Sequence, residues 1–169
     1  QALQFTSQIL ETPFVHVLEL QPDQKSLWLR AGLGWSTGRV GSDIVAASGR
    51  SQAAFVLNSG EPVVIPDMRA ENRFIAPRLL LDHNIVSGIC VVIAMRSQPY
   101  GVLGVYSPKA RGYTEDEVQF LLAIANALGT AADRLRTETE LQKLAAFAQL
   151  NPNPAMELTP AGAVTYFND

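Results

Sequence analysis

The stretch that decides the fold is IVSGICVVIAMRSQPYGVLGVYS, residues 85–107. Its two apolar runs, residues 85–95 and 100–106, lie on either side of a turn at Gln98 and Pro99. The run from Gly88 to Met95 shows no polar alternation, which is the pattern of a strand covered on both faces of its sheet. The stretch therefore predicts two buried central strands with other elements packed on both sides of them.

Regular elements are also predicted upstream of this pair of strands. Residues 14–20 (FVHVLEL) and 26–33 (SLWLRAGL) are rich in β-branched and aromatic residues, and the turn-forming segment QPDQK separates them. This arrangement predicts a hairpin. Residues 52–59 predict a helix, because Ser51 can cap its first turn and Gly60 can end it. A short strand is expected directly after that helix.

The last third of the chain predicts one long helix. Thr114 and Glu117 have the spacing of a capping box, and the helical pattern continues to about Leu150, roughly 50 Å at 1.5 Å per residue. The apolar residues alternate steps of three and four, a spacing that suits contact with a second helix. These residues are Val118, Leu121, Ala125, Leu128, Ala132 and Leu135.

The apolar pattern of this helix changes register between Arg136 and Leu141. The seam would next fall on Thr139 and Gln142, whereas Leu141 and Leu144 are the apolar residues. We therefore predict a parallel homodimer through the N-terminal and C-terminal helices. In it, the break at residues 137–140 would let a signal rotate or shift the last part of the helix.

Composition limits the compartment and the partners. The chain has 169 residues, of which 47% are hydrophobic, and a formal net charge of -3, so one folded domain with a real core is expected. No basic run interleaves with aromatic residues as a nucleic-acid or anionic membrane surface requires. No apolar stretch approaches the roughly 20 residues that cross a bilayer. The single cysteine, Cys90, lies in an apolar run, which favours a reducing, cytoplasmic compartment.

The series of segments resembles a GAF domain over roughly residues 13–136. The resemblance rests on VLEL, LWLRAGLGW, SQAAFVLNSGEPVVIPDMRAENRF, LLLDHNIVSGICVVI, QPYGVLGVYS and YTEDEVQFLLAIANALG, in that order. It implies an α+β fold, in which an antiparallel sheet in the strand order 2-1-5-4-3 carries helices on both faces. It also implies a regulatory module that has no catalysis of its own.

The flanking segments complete the predicted domain organisation. Residues 1–12 predict an N-terminal helix before the GAF domain, and residues 137–150 predict a helix that links the GAF domain to the next segment. Residues 151–169, NPNPAMELTPAGAVTYFND, resemble the opening of a PAS domain that ends after about two strands. A GAF domain joined by a helix to a PAS domain is typical of bacterial sensor histidine kinases and of diguanylate cyclases or phosphodiesterases. The resemblance thus implies a signalling parent, and its output stays open.

The same resemblance places a small-molecule pocket between the sheet and residues 67–84. The candidate ligand-binding residues there are Asp67, Arg73, Phe74 and His83, and Arg73 with Phe74 combines an anion-pairing fork with an apolar face. Two functions remain open. One is a small-molecule sensor, and the other is a dimerisation and relay module whose pocket is filled by Phe74, Leu79 and Leu80.

Cofactor and catalytic chemistry find little support in the residues. Residues 67–84 contain no cysteine to which a bilin could be attached covalently. A haem iron would need an axial histidine, and His83 alone is placed to supply it. Neither cofactor is expected. The cofactor therefore stays unknown. A cyclic nucleotide stays open as a ligand without support, because the Asn-Lys-Phe-Asp-Glu signature of the GAF domains that bind one is not found in this sequence. His16 alternates with valines in a strand, which favours a structural role. Two histidines without ligand-spaced partners predict neither a catalytic triad nor a metal site.

Overall fold

The computed structural model describes residues 1–150, 156–158 and 164–167. The chain divides into two compact units, residues 1–130 and 131–169. The first unit contains one mixed sheet-and-helix domain. Its strands are β1 (Phe14–Leu20), β2 (Ser26–Leu33), β3 (Ile44–Ala46), β4 (Val63–Ile65), β5 (Ser87–Ala94) and β6 (Pro99–Ser107). The helices are α1 (Ala2–Ile9), α2 (Gln52–Ser59), α3 (Arg78–Leu81) and α4 (Glu115–Leu150), which runs into the second unit, and Met68–Ala70 form a 3-10 turn.

The six strands of the first unit form an antiparallel sheet in the order β3-β2-β1-β6-β5-β4. Without β3, the five remaining strands follow the predicted order 2-1-5-4-3. The sheet differs from the prediction in having β3 as an additional edge strand beside β2. Three residues in a glycine- and serine-rich segment are too few to show a strand period, which is why the sequence does not reveal β3.

One face of the sheet packs against α1 and α4. The alternation of β5 divides its apolar run between the two faces, with Ile89, Val91 and Ile93 buried on this side and Cys90 on the other. The core residues from α4 are Val118, Leu121 and Ala125, and Leu128 is partly buried against the same cluster. Helices on both faces thus explain the unbroken apolar sequence of β5, as predicted.

Gly129 marks the closest approach of α4 to the sheet. A Cβ added at this position would lie 1.9 Å from the carbonyl oxygen of Ala94, the last residue of β5. Only a residue without a side chain lets the helix backbone come this near to a strand. Gly129 therefore sets the distance between α4 and the sheet at this end of the domain.

The opposite face is covered by α2 and by the segment that contains α3. The start and end of α2 are as predicted, since Ser51 Oγ accepts a hydrogen bond from Ala54 N at 3.1 Å and Gly60 adopts a left-handed φ of 69°. The capping box of α4 is confirmed by reciprocal bonds, from Thr114 N to Glu117 Oε2 at 2.8 Å and from Glu117 N to Thr114 Oγ1 at 3.3 Å. Local signals therefore place both helices correctly.

The second unit contains the remainder of α4 and a two-stranded antiparallel sheet, β7 (Met156–Leu158) and β8 (Val164–Phe167). The expected opening of a PAS domain falls largely on residues 151–155, 159–163 and 168–169, which lie outside the described residues. None of the helices within the described ranges is long and apolar enough to cross a membrane.

Candidate functional site

Two aromatic rings occupy hollows that glycines leave on the α2 side of the sheet. A Cβ added to Gly32 would lie 2.5 Å from the ring of Trp35. A Cβ added to Gly88 would lie 2.3 Å from the ring of Tyr106, and one on Gly104 would lie 2.5 Å from it. The sheet surface at which a ligand would be expected is therefore covered by the protein's own side chains.

His16 lies between these two rings and is part of the core. Its ring stacks on Trp35 with centroids 5.7 Å apart, and its Nε2 lies 3.4 Å from the hydroxyl of Tyr106, which donates to Gln52 Oε1 at 3.2 Å. His16 Nδ1 and Gln52 Nε2 have no hydrogen-bond partner among the described residues. Burial lowers the pKa of His16 to about 3, so this histidine is neutral and structural at physiological pH.

His83, one of the four predicted ligand-binding residues, is fully engaged within the protein. Its Nε2 accepts from Ser36 N at 2.9 Å, and its Nδ1 lies 2.8 Å from the carbonyl oxygen of Leu79. Acceptance at Nε2 assigns the ring proton to Nδ1, which then donates to that carbonyl. The ring also meets Trp35 edge-on at 5.0 Å. This arrangement ties the end of α3 to the loop after β2 and leaves neither nitrogen for an axial haem bond.

Arg73 has its guanidinium fork occupied by a neighbour. Its Nη2 lies 2.6 Å from Glu71 Oε2 and donates to Val64 O at 3.1 Å, while its Cζ lies 5.6 Å from the ring centroids of both Phe55 and Phe74. The bonds from Arg73 lower the pKa of the Glu71 carboxyl and raise that of the guanidinium. The pair fastens this segment to β4 instead of presenting a free cation to the sheet.

The carboxylate of Asp67 also bonds within its own loop. Its Oδ1 accepts from Arg69 N at 2.9 Å, and its Oδ2 lies 2.6 Å from Arg69 Nη2. The side-chain hydrogen bonds from Arg69 lower the pKa of Asp67 to about 2. Asp67 therefore caps the 3-10 turn that follows it, so it acts on the loop's conformation.

Three apolar residues of the segment that the resemblance places over the ligand pocket are buried. Phe74 is 4% exposed, Leu79 3% and Leu80 0%, and Phe74 meets the ring of Phe55 with centroids 5.7 Å apart. These are the three residues whose burial favours a relay module with a filled pocket. The predicted residues Asp67, Arg73, Phe74 and His83 thus make contacts that hold the segment over the sheet, and none of the four lines the cavity described next.

A cavity of about 660 Å³ lies instead at the β3 edge of the sheet. Its walls are contributed by residues 39–51, which include β3 and Ser51, the N-cap of α2, and by residues 75–79. An isolated parallel bridge between Ser51 and Ile75 joins these walls, and its hydrogen bond from Ile75 N to Arg50 O is 2.6 Å long. Sequence reasoning identified only the second wall as a pocket border.

Thiol and metal chemistry find no support in the described residues. Cys90 is 1% exposed, and burial raises the pKa of its thiol to about 12, so the thiolate is scarce at neutral pH. No group of three or more histidine, cysteine, aspartate or glutamate residues capable of holding a metal ion occurs in the described part of the chain.

We expect Cys90 to react with iodoacetamide at pH 8 at least about a hundredfold more slowly in the folded chain than in guanidinium chloride, because the folded site suppresses both access and the thiolate. Mass spectrometry of timed samples measures the rate. A Gly112→Cys variant supplies an exposed thiol as the control, since nothing lies within 4 Å of a Cβ there. Native labelling as fast as that of the control thiol would show that β5 opens readily to solvent.

The comparison with known protein families agrees with this architecture. The sequence model of the GAF domain matches residues 1–132, which is most of the chain, and the chain therefore belongs to the GAF domain family. None of the curated proteins compared with the chain matches it.

Solved structures share the fold at low sequence identity. The GAF domain of a phosphoenolpyruvate-protein phosphotransferase from Coxiella burnetii superposes with a TM-score of 0.73 at 15% identity, covering 82% of each chain. A domain of a putative two-component sensor histidine kinase from Sinorhizobium meliloti gives 0.66 at 15% identity, covering 83% of this chain and 92% of that one. A type II free methionine-R-sulfoxide reductase from Thermoplasma acidophilum gives 0.62 at 19%, covering 76% and 85%. These likenesses establish the fold alone.

Proposed function

We propose that this GAF domain is a cytoplasmic, non-catalytic regulatory module that dimerises through its helices and relays a signal to the next domain of a bacterial signalling protein. The observation that carries the proposal is a set of large apolar side chains left exposed on the last part of α4. Leu135 is 63% exposed, Leu141 61%, Leu144 68% and Phe147 75%. A helix that exposes this many large apolar residues needs a partner surface.

The charged residues of the same helix segment support this interpretation. Arg134 pairs with Glu138 at 2.9 Å and Arg136 with Glu140 at 3.2 Å, both at i,i+4 spacing. Such pairs stabilise a helix in water without a tertiary partner. The segment thus combines solvent-compatible ion pairs with an apolar stripe, the composition of a helix that pairs with another helix.

The first half of the predicted helix seam packs against the sheet of its own domain. Val118, Leu121 and Ala125 are buried against the sheet and are unavailable to a partner helix in the described fold, and Leu128 is partly buried in the same place. The dimer surface that we propose therefore begins at Leu135 and continues through Leu144. In the first unit, Phe5 and Ile9 are also exposed, at 51% and 53%, and they are the apolar residues that α1 would contribute to the dimer.

The change of register at residues 137–140 provides the relay. Leu135 belongs to the seam of the preceding turns, whereas Leu141 and Leu144 begin a different stripe. A dimer that packs either the exposed end of the first stripe, at Leu135, or the second stripe, at Leu141 and Leu144, would have two helix arrangements close in energy, which a small change in the GAF domain would shift. The resemblance favours a sensor histidine kinase or a diguanylate cyclase as the parent, with a PAS domain following α4.

Sedimentation velocity at micromolar concentration tests the dimer. The wild-type chain should be dimeric, and Leu144→Asp should raise the dissociation constant at least about a hundredfold, because two copies of the charge would be buried in a symmetric contact. The matched control is Leu81→Asp, which places the same charge on a residue that is 56% exposed in α3. That variant should remain dimeric.

Helix direction is tested with Leu144→Cys. In a parallel, in-register pair the two substituted positions face each other and should form a disulfide on mild oxidation, whereas in an antiparallel pair they lie too far apart. Buried Cys90 does not compete for this reaction. A monomeric wild type, or a dimer that Leu144→Asp leaves intact, would refute the proposal.

Small-molecule sensing is a second candidate function, and the edge cavity favours it. At about 660 Å³, the cavity falls within the range of roughly 300–1,000 Å³ that is usual for small-ligand sites. If the domain is a sensor, the ligand would bind at the β3 edge of the sheet, and the helices would transmit the resulting conformational change to the next domain. Retention of a small molecule in native mass spectrometry of the purified chain tests it.

A further inference from the structure

The edge cavity concentrates positive charge in a chain whose formal net charge is -3. Its lining contains three arginines, Arg39, Arg50 and Arg78, and one carboxylate, that of Asp43. Arg39 and Asp43 neutralise each other, with Nη1 of the arginine 2.9 Å from Oδ2 of the aspartate, and Arg39 also pairs with Asp82 at 2.7 Å. Arg50 and Arg78 therefore decide the electrostatic character of the cavity.

Neither of these two arginines has a carboxylate partner in the described residues. Seven other arginines of that part of the chain form an ion pair with an aspartate or glutamate. Arg50 donates only to the carbonyl oxygen of Asn72, at 3.2 Å, and the Arg78 side chain has no hydrogen bond or ion pair within the described ranges. Two unpaired guanidinium groups in one concave site form a receptor for an anion.

The edge strand adds hydrogen-bond donors to the same site. Leu29 N donates to Asp43 O and Ala47 N donates to Lys25 O, both bonds joining this segment to β2 and its flanks. Because successive residues of a strand point their backbone groups to opposite sides, the N–H groups of Ile44 and Ala46 point away from β2, to the unpaired edge of the sheet. Ile44, at 70% exposed, and Ile75, at 61%, supply apolar surface beside these donors.

We propose that this edge cavity binds a small organic anion, with its phosphate or carboxylate group held by Arg50 and Arg78 and its apolar body against Ile44 and Ile75. The proposal rests on the sensing function above and assigns that function its ligand chemistry. The amides of Ile44 and Ala46 provide donors for further acceptor atoms of the ligand. Because β3 and residues 75–79 form opposite walls, an anion bound between them joins two separate segments of the chain.

Nuclear magnetic resonance titrations of the full 169-residue chain test the proposal. The probes are phenyl phosphate and benzoate, which share an aromatic body and differ in the anionic group, and benzyl alcohol, which is uncharged. At least one anion should shift the amide resonances of Ile44, Ala46 and Ile75 to saturation, and the anion that does so identifies the head group. Benzyl alcohol at the same concentration should leave these resonances in place.

Matched arginine variants decide whether the binding is specific. The double variant Arg50→Gln with Arg78→Gln should weaken anion binding about tenfold or more, because charge-assisted hydrogen bonds are lost. The control, Arg30→Gln with Arg69→Gln, removes the same charge from side chains that are 55% and 73% exposed and lie outside both the edge cavity and the proposed helix contact, so it should not change the affinity. Equal weakening in both variants, no binding of either anion, or equal binding of benzyl alcohol would overturn the proposal.

Sedimentation velocity of the same samples measures the oligomeric state, so that a failure of anion binding can be distinguished from a failure of the proposed dimer. Both double variants should remain dimeric, since neither removes an apolar residue of the proposed helix contact. A dimeric protein that binds neither anion overturns the ligand assignment alone. A monomeric wild type that binds an anion through Arg50 and Arg78 overturns the dimer alone.

Discussion

Replacing Gly129 with alanine is expected to lower the free energy of unfolding by about 2 kcal/mol and the melting temperature by roughly 4–8 °C. A Cβ at this position would lie 1.9 Å from the carbonyl oxygen of Ala94, so α4 must move away from β5. Alanine is the better helix former by about 1 kcal/mol, but the clash is with backbone, which cannot rotate aside as a side chain can. Overpacking therefore outweighs helix propensity here.

Gly112→Ala is the matched control for this substitution. No atom lies within 4 Å of a Cβ at Gly112, so the same chemical change there meets open space. Its free energy of unfolding should stay within about 0.5 kcal/mol of the wild type. Thermal and urea unfolding measure both variants. If Gly129→Ala proves as stable as Gly112→Ala, then α4 does not pack against Ala94 as described.

Acidification from pH 8 to pH 5 is expected to remove about 2 kcal/mol of stability through His16 alone. Burial lowers the pKa of His16 in the folded chain to about 3, whereas in the unfolded chain it lies near 6.5. Between these values the unfolded chain binds a proton that the folded chain does not. The stabilisation is therefore complete above about pH 6.5 and is lost as the pH falls toward 3.

His16→Gln isolates this contribution from that of other titrating groups. At pH 8 the difference in unfolding free energy between wild type and variant reports the packing loss alone. At pH 5 that difference should be about 2 kcal/mol smaller, because glutamine has no proton to bind. His16→Asn, whose amide is smaller, repeats the test if the first variant packs poorly. A difference that stays constant between the two pH values would show that His16 is not buried as a neutral group.

The fold follows from the sequence where signals are local. Ser51 and Gly60 delimit α2, and Thr114 with Glu117 begins α4, because each cap acts within one turn of the helix. The helix seam is harder to interpret. Apolar residues that alternate steps of three and four can pack equally well against a partner helix or against a sheet. In this chain Val118, Leu121 and Ala125 pack against the sheet. Periodicity shows that a face is buried and does not show what buries it.

The candidate site is less predictable, because it depends on contacts between distant residues. The bond between Ser36 and His83 joins residues 47 apart in the chain, and His16 with Tyr106 joins residues 90 apart. No local pattern reports such pairings. The two unpaired arginines of the edge cavity also leave no sequence signal, since Arg50 and Arg78 resemble any exposed arginine until the absence of their partners is seen in the described structure.

The separation between the glycine hollows and the edge cavity bears on how such a domain can evolve. Trp35 and Tyr106 fit backbone hollows that tolerate no added carbon, so changes there disturb the packing of the whole sheet. The walls of the edge cavity consist of an edge strand and a surface segment, whose side chains are largely exposed. In the anion site that we propose, substitutions at Arg50, Arg78 or Ile75 would therefore change ligand recognition and leave the interior unchanged. A family of domains built in this way can change the ligands that its members bind without changing the residues that determine the fold.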